Sequence, residues 1–105
     1  MKLKVLSNYG SKEKVISESA TADQIIETMI SIDWKVFHQV ILGKENGDWL
    51  EVGGNLKSDG LSVTYEEYGK QYFIVKPPIS VEQMTKILLS YHAGDGMYKQ
   101  ENKFE

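Results

Sequence analysis

The side chains that could do acid–base or metal chemistry in this chain are few. There are two histidines, His38 and His92, among fifteen carboxylates, and no cysteine. The missing thiol removes disulfides, cysteine nucleophiles and thiolate metal sites. The histidines share no His-x-x-x-His or equivalent spacing, so the sequence offers no metal motif. His38 falls in an expected strand and His92 at an expected helix end. The plain reading is a hydrogen-bonded strand histidine and a cation at a helix C-terminus. His92-Ala93-Gly94-Asp95-Gly96 invites one sharper reading, in which Asp95 orients His92 as a general base. No nucleophile or oxyanion donor stands nearby, and a glycine-rich helix stop with a local Asp turn bond accounts for the same residues. Gly53-Gly54-Asn55 with Gly60 lacks the Gly-Lys-Ser/Thr ending of a phosphate loop and leads into no helix. There is no Gly-x-Ser-x-Gly elbow, and Asp48, Asp59, Glu66 and Glu67 do not follow calcium-loop spacing. The expectation is a protein that is not an enzyme, with no metal and no cofactor.

A second pattern suits binding rather than catalysis. Glu45, Asp48, Glu51, Asp59, Glu66 and Glu67 concentrate around expected sheet turns, and Trp49, Tyr65, Tyr68 and Tyr72 interleave with them. Aromatic anchors ringed by carboxylates can form a face for a basic partner, the aromatics giving affinity and the charge giving steering. A solvated sheet end with core aromatics would show the same residues.

Composition narrows the partner. The chain has 105 residues, a net charge of -3 and 41% hydrophobic residues, which fits one folded domain over residues 1–105. All twelve basic residues are lysine. Arginine is the usual reader of phosphates and base edges, so its absence argues against nucleic acid as a partner; codon usage in an AT-rich genome would have the same effect. No apolar run approaches the roughly 18–20 residues of a membrane span, and the apolar segment within Met1–Gly10 is too short for a secretory leader. A cytoplasmic location with no membrane association is the expectation.

Hydropathy patterning supplies the elements that must position these residues. Lys2–Leu6 alternates as an edge strand would. Asn8–Ser11 is a turn, and Lys12–Ser17 the returning strand. Thr21–Ile32 reads as a helix with a Thr21/Gln24 capping box and an apolar stripe of Ile25, Ile26, Met29 and Ile30. Val36–Leu42 is almost continuously apolar, as a central strand covered on both faces would be. Asn46-Gly47 predicts a type I′ hairpin turn into Trp49–Val52, and Gly53-Gly54-Asn55 then breaks or bulges that strand. Ser58-Asp59-Gly60 is a turn. Leu61–Tyr65 alternates, Glu66–Lys70 connects, and Gln71–Val75 is a strand stopped by Pro77-Pro78. Ser80–Tyr91 is a second helix with a Ser80/Gln83 capping box, closed by Gly94. Met97, Tyr98 and Phe104 are docking points in a polar tail. The fold class is α+β: about five to six mainly antiparallel strands and two amphipathic helices in the order ββαββββα. Both helices are expected on one face, with a helix on each face as the alternative.

Successive hairpins turn at opposite ends of a sheet. Glu45 and Asp48 should therefore join Glu66 and Glu67 at one end, with Asp59 at the other. The partner-binding candidates are Glu45, Asp48, Trp49, Glu66, Glu67 and Tyr68.

One family resemblance rests on residues Asp48 to Lys99. They contain a strand ending in Gly53-Gly54, a Gly60-Leu61-x-Val63-x-Tyr65 strand, a strand end broken by Pro77-Pro78, and a final helix closing in Tyr91-x-x-Gly94-Asp95. In these features the chain resembles the small immunity proteins of bacterial polymorphic and contact-dependent toxin systems. The resemblance implies an inhibitor that binds a cognate toxin domain, often a nuclease or deaminase, whose basic surface would complement an acidic chain. It transfers no individual site residue. Two other classes stay open: a small enzyme or ligand-binding domain with a pocket between sheet and helices, using His92, Asp95 and His38; and a regulatory or structural homodimer pairing through Lys2–Leu6 or Gln71–Val75.

Overall fold

The computed structural model describes residues 1–105. Six strands form one antiparallel sheet: β1 (Lys2–Ser7), β2 (Lys12–Ser17), β3 (His38–Gly43), β4 (Trp49–Asn55), β5 (Gly60–Glu67) and β6 (Lys70–Phe73). Helix α1 (Ala22–Ser31) joins β2 to β3, and α2 (Val81–Ala93) and α3 (Met97–Glu101) follow the sheet. The spatial order is β2-β1-β3-β4-β5-β6. The fold is thus the expected α+β arrangement, with one short helix added in the tail. No helix is long and apolar enough to cross a membrane.

Alternation decides which side of the sheet is buried. Leu3, Val40, Leu42, Leu50, Val52, Val63 and Tyr65 point to one face and are buried there. Ile25 and Met29 of α1 and Met84, Ile87, Leu88 and Tyr91 of α2 complete that core. Burying each large apolar side chain contributes about 1.5–3 kcal/mol, so this face dominates stability. The other face of the sheet is bare. Val36–Leu42 is therefore not covered on both sides. Val36 is exposed and precedes the strand, and His38–Gly43 buries only Val40 and Leu42. Its continuous apolarity misleads because Ile41 sits on the bare face.

Other expectations change in detail. Lys2–Leu6 is not an edge. β1 lies between β2 and β3, and its lysines alternate because one sheet face is wet. The edges are β2 and β6, and β6 is covered at its C-terminal end by the chain's own tail. Phe73 and Glu105 exchange backbone hydrogen bonds at 2.8 Å, and the Val75 amide donates to Lys103 at 2.9 Å. Only half of the α1 stripe is buried: Ile25 and Met29 face the core with Thr28, while Ile26 and Ile30 face outward. α1 is covered by the sheet and α2 on one side only, which is narrower than its apolar stripe.

Turn chemistry also differs. In the β3–β4 hairpin only Gly47 is left-handed (φ 97°); Asn46 is not. The Gly47 amide donates to the Lys44 carbonyl and the Lys44 amide to the Asp48 carbonyl. That is the three-residue loop with a left-handed glycine rather than type I′. The Asn46 side chain instead accepts from the Asp48 amide at 2.9 Å. The two-residue loop is Tyr68-Gly69, left-handed at both positions (φ 52° and 78°), so Glu66 and Glu67 belong to β5 rather than to a connection.

The N-termini of α1 and α2 are capped as the sequence implies. Thr21 and Gln24 form a reciprocal capping box, and Ser80 accepts from the Gln83 amide. The Gln83 side chain, however, reaches the Ile79 amide rather than that of Ser80. Gly94 ends α2 in the left-handed conformation.

Gly53-Gly54-Asn55 does not break β4. Gly53 pairs with Gln39 and Ser62, and Gly54 with His38 and Leu61, in unbroken register. The glycines allow a close approach instead. A Cβ on Gly54 would lie 1.9 Å from the Gly60 carbonyl oxygen, and its φ is 119°. Asn55, buried at the strand end, accepts from the amides of Lys57, Ser58 and Asp59 and donates to the Asp59 carboxylate. Gly54→Ala should therefore destabilise by about 3 kcal/mol or more, since backbone must move. Gly43→Ala, with nothing within 4 Å of the added methyl, should stay within about 0.5 kcal/mol. Urea denaturation of the two variants checks the contrast.

Candidate functional site

The bare sheet face is built by the residues that alternate against the core. Cross-strand register sets Lys2 beside Gly43, Gly43 beside Trp49, Trp49 beside Glu66, and Glu66 beside Gln71. The next row runs Lys4, Ile41, Glu51, Thr64 and Phe73. Gly43 contributes no side chain, so a shallow cleft of about 260 Å³ opens there, lined by Lys2, Lys4, Ile41, Trp49 and Glu51 among others. Trp49 is half-buried at its margin. Glu51 accepts from Gln39 at 3.1 Å. Burial pushes its carboxyl above the usual range, against the opposing effects of the Gln39 hydrogen bond and the Lys4 charge. Lys4 itself pairs with Glu13 at 3.0 Å.

The expected gathering of hairpin loops at one end is present. The Tyr68 amide donates to the Asp48 carboxylate at 3.2 Å, which ties the β3–β4 loop to the β5–β6 loop. Asp59 lies at the opposite end, bound to Asn55. The six partner-binding candidates do not share one surface, however. Trp49 and Glu66 lie side by side on the bare face. Glu45 is exposed in its loop, and Tyr68 is 90% exposed at the tip of the other. Asp48 holds the two loops together through Tyr68 and Asn46. Glu67 alternates to the helix side, where Lys99 of α3 donates to both its oxygens at 2.9 and 3.1 Å. That bond holds the Lys99 ammonium above its usual range.

The end of the sheet is thus mixed in charge rather than acidic. Lys44 lies 4.9 Å from the Tyr91 ring centroid, Lys70 lies 5.2 Å from Tyr72, and Lys99 caps Tyr65. These cations sit on an aromatic cluster in which Tyr65 stacks on Tyr72 at 4.8 Å and meets Tyr98 and Phe104 edge-on. Sequence reading missed the lysines because they arrive from separate elements. Glu51 on the bare face was legible in the Leu50-Glu51-Val52 alternation.

The acid–base candidates do not assemble. His92 donates from Nε2 to the Ala20 carbonyl at 2.8 Å, tying α2 to the entry of α1. Asp95 accepts from the Ser90 hydroxyl and the Met97 amide, and these bonds, the Ser90 hydroxyl first, hold its carboxyl below the usual range. The Ser90 oxygen in turn accepts from the Tyr98 amide. Asp95 therefore fixes the α2–α3 corner and does not orient His92. His38 donates from Nδ1 to the Val36 carbonyl at 2.9 Å and packs edge-on to Trp34. No three His, Asp or Glu side chains converge as metal ligands would. The Tyr91 hydroxyl is buried without a partner, and burial pushes its ionisation far above the usual range. Family models, curated proteins and solved structures give no match to this chain.

Two outcomes follow from these contacts. The native state resists ionising Glu51 more than the unfolded chain does. Stability attached to this group is complete below the ordinary value of 4.5 and is lost as pH rises through the raised native value. Glu51→Gln should match the parent in acid and exceed it at neutral pH, as urea titrations at both pH values would show. Separately, Lys99→Met should cost about 1 kcal/mol or less, as for an accessible ion pair. Tyr98→Ala, which empties a buried aromatic site, should cost about 3 kcal/mol or more.

Proposed function

We propose that this protein is a non-enzymatic binding protein that neutralises a cognate bacterial toxin domain by direct contact in the cytoplasm, in the manner of the immunity proteins it resembles. The carrying observation is the Trp49–Glu66 pair on a sheet face that no helix covers. A half-buried tryptophan beside a carboxylate combines a large rigid contact area with a directional acceptor for a lysine or arginine. Tyr68 and Glu45 extend the same end into solvent. A partner with a basic surface, as nucleases and deaminases present to their substrates, suits that chemistry. Asp48 and Glu67 support the surface rather than meet the partner, because their carboxylates are already bound within the chain.

Less supports the pocket alternative. His38, His92 and Asp95 are each bonded to a different structural group. The dimer alternative relies on Lys2–Leu6, which lies inside the sheet, and Gln71–Val75, which the chain's own tail covers at Phe73 and Val75; the other edge, β2, carries Lys12, Glu13 and Lys14 and a register irregularity, features that discourage strand addition.

The direct test is to ask whether a neighbouring gene encodes a secreted toxin and to titrate the purified chain against that gene's toxin domain at low and at physiological salt. The expected result is a tight complex weakened by salt. Trp49→Ala should weaken it by about 2 kcal/mol, roughly 30-fold, and Glu66→Lys should slow association. Neither variant should change the melting temperature by more than a few degrees. No complex, or full neutralisation by both variants, overturns the reading.

A further inference from the structure

The helix layer carries a second uncovered surface, on the opposite side of the molecule from Trp49. Met29 of α1 and Met84 and Leu88 of α2 point toward the sheet and are buried. The next stripe on each helix is not. Ile26 and Ile30 of α1, 36% and 78% exposed, stand across from Val81, Thr85 and Leu89 of α2. Between them lies an open groove of about 320 Å³ floored by Met29. The Thr85 hydroxyl donates to the Val81 carbonyl at 2.9 Å, which leaves its methyl for the groove. An apolar groove of this kind on a small domain marks a contact surface.

The flanks say what fits. Helical spacing places Asp23 and Glu27 along the outer side of Ile26 and Ile30. Glu82 stands on the α2 wall, and the one lysine lining the groove, Lys86, is paired with Glu101 at 3.0 Å. The rim therefore offers three free carboxylates around an apolar floor. We propose that this groove docks an amphipathic helix of another protein, one with bulky apolar side chains on one stripe and lysine or arginine on its flanks. A third helix seats naturally between two packed helices, as ridges enter a groove. A second copy of this chain would bring the same carboxylates against their counterparts across a two-fold axis. An anionic bilayer surface would be repelled by the same rim. The inference stands apart from the sheet-face reading, since the two surfaces lie on opposite layers.

The test uses the intact chain and a labelled synthetic helix of about five turns with a leucine stripe flanked by lysines. A twin peptide carries glutamates in place of the lysines. Fluorescence anisotropy should show binding of the lysine peptide and at least about tenfold weaker binding of the twin. Ile30→Asp should weaken the lysine peptide at least about tenfold and lower the melting temperature by no more than several degrees, because Ile30 is largely in water and a carboxylate in the last turn of α1 opposes the helix dipole only modestly. The double variant Glu27→Lys/Glu82→Lys should reverse the preference between peptides. Trp49→Ala should leave peptide binding unchanged, which separates failure here from failure on the sheet face. No binding of the lysine peptide, equal binding of both peptides, or undiminished binding by Ile30→Asp overturns the proposal. A dimer in sedimentation that Ile30→Asp dissolves overturns it in favour of self-association.

Discussion

Register is the constraint on which this molecule depends. With a period of two, a slip of one residue in β4 would carry Leu50 and Val52 into water and drive Trp49 and Glu51 against Met84 and Leu88. The core and the bare face are the same fact seen from two sides. Several local devices hold that register. Gly47 closes the β3–β4 loop, Asn55 gathers three amides at the start of the β4–β5 turn, and Tyr68-Gly69 forms the tight β5–β6 turn. The Asp48 carboxylate then fastens the first loop to the third. Gly54 adds a steric condition, because only a residue without Cβ lets β4 approach Gly60 so closely.

The two sheet edges are handled differently. β6 receives the tail through Phe73 and Val75, and Ile74 bridges to Phe104. The tail is in turn anchored by Tyr98 and by Lys99 on Glu67. Those contacts draw α3 over the aromatic cluster and convert several carboxylate and tyrosine side chains from surface groups into structural ones. β2 has no such cover. Its outward residues are mostly charged, which suppresses unwanted strand pairing without a covering segment.

Much of this was legible in the sequence. Strand and helix positions followed from period-two and helical patterns, and capping at Thr21, Ser80 and Gly94 followed from residue chemistry. Because successive hairpins turn at opposite ends, the β3–β4 and β5–β6 connections meet and Asp59 lies apart, as the Asp48–Tyr68 and Asn55–Asp59 bonds show. What failed was physically of one kind. Asn46-Gly47 carried a strong local turn signal, yet strand registry chose a three-residue loop there and gave the two-residue turn to Tyr68-Gly69, where a non-glycine residue tolerates positive φ. The Gly53-Gly54 pair looked like an interruption because close interstrand approach has no sequence signature separate from flexibility. Ile41 and Ile30 looked buried because apolarity states what a residue tolerates, not which elements remain to cover it. Glu66 and Glu67 looked like neighbours on one surface; once both lie in a strand, alternation sends them to opposite faces.

That last point changes how charge can act in recognition. The chain carries a net charge of -3, but its carboxylates are not equivalent. Glu13, Glu67 and Glu101 are paired with lysines, and Asp48, Asp59 and Asp95 are held by amides or hydroxyls. These groups set local geometry, and their fields are largely cancelled by their partners. Glu45 on the loop and Asp23, Glu27 and Glu82 around the helix groove are left to face solvent, and Glu66 beside Trp49 is half-exposed with only a long 3.5 Å bond from Gln71. Screening confines such charges to about 8 Å at physiological ionic strength. Each set therefore acts on a partner only as it nears that surface, and the two sets, on opposite layers, act separately. Charge here governs approach and orientation, while Trp49 on one side and Ile30 on the other supply the apolar area that holds a complex once formed. A small sheet with helices on one face only is suited to that division: its core needs one side of the sheet and one side of each helix, and the remaining sides are free to vary with the partner.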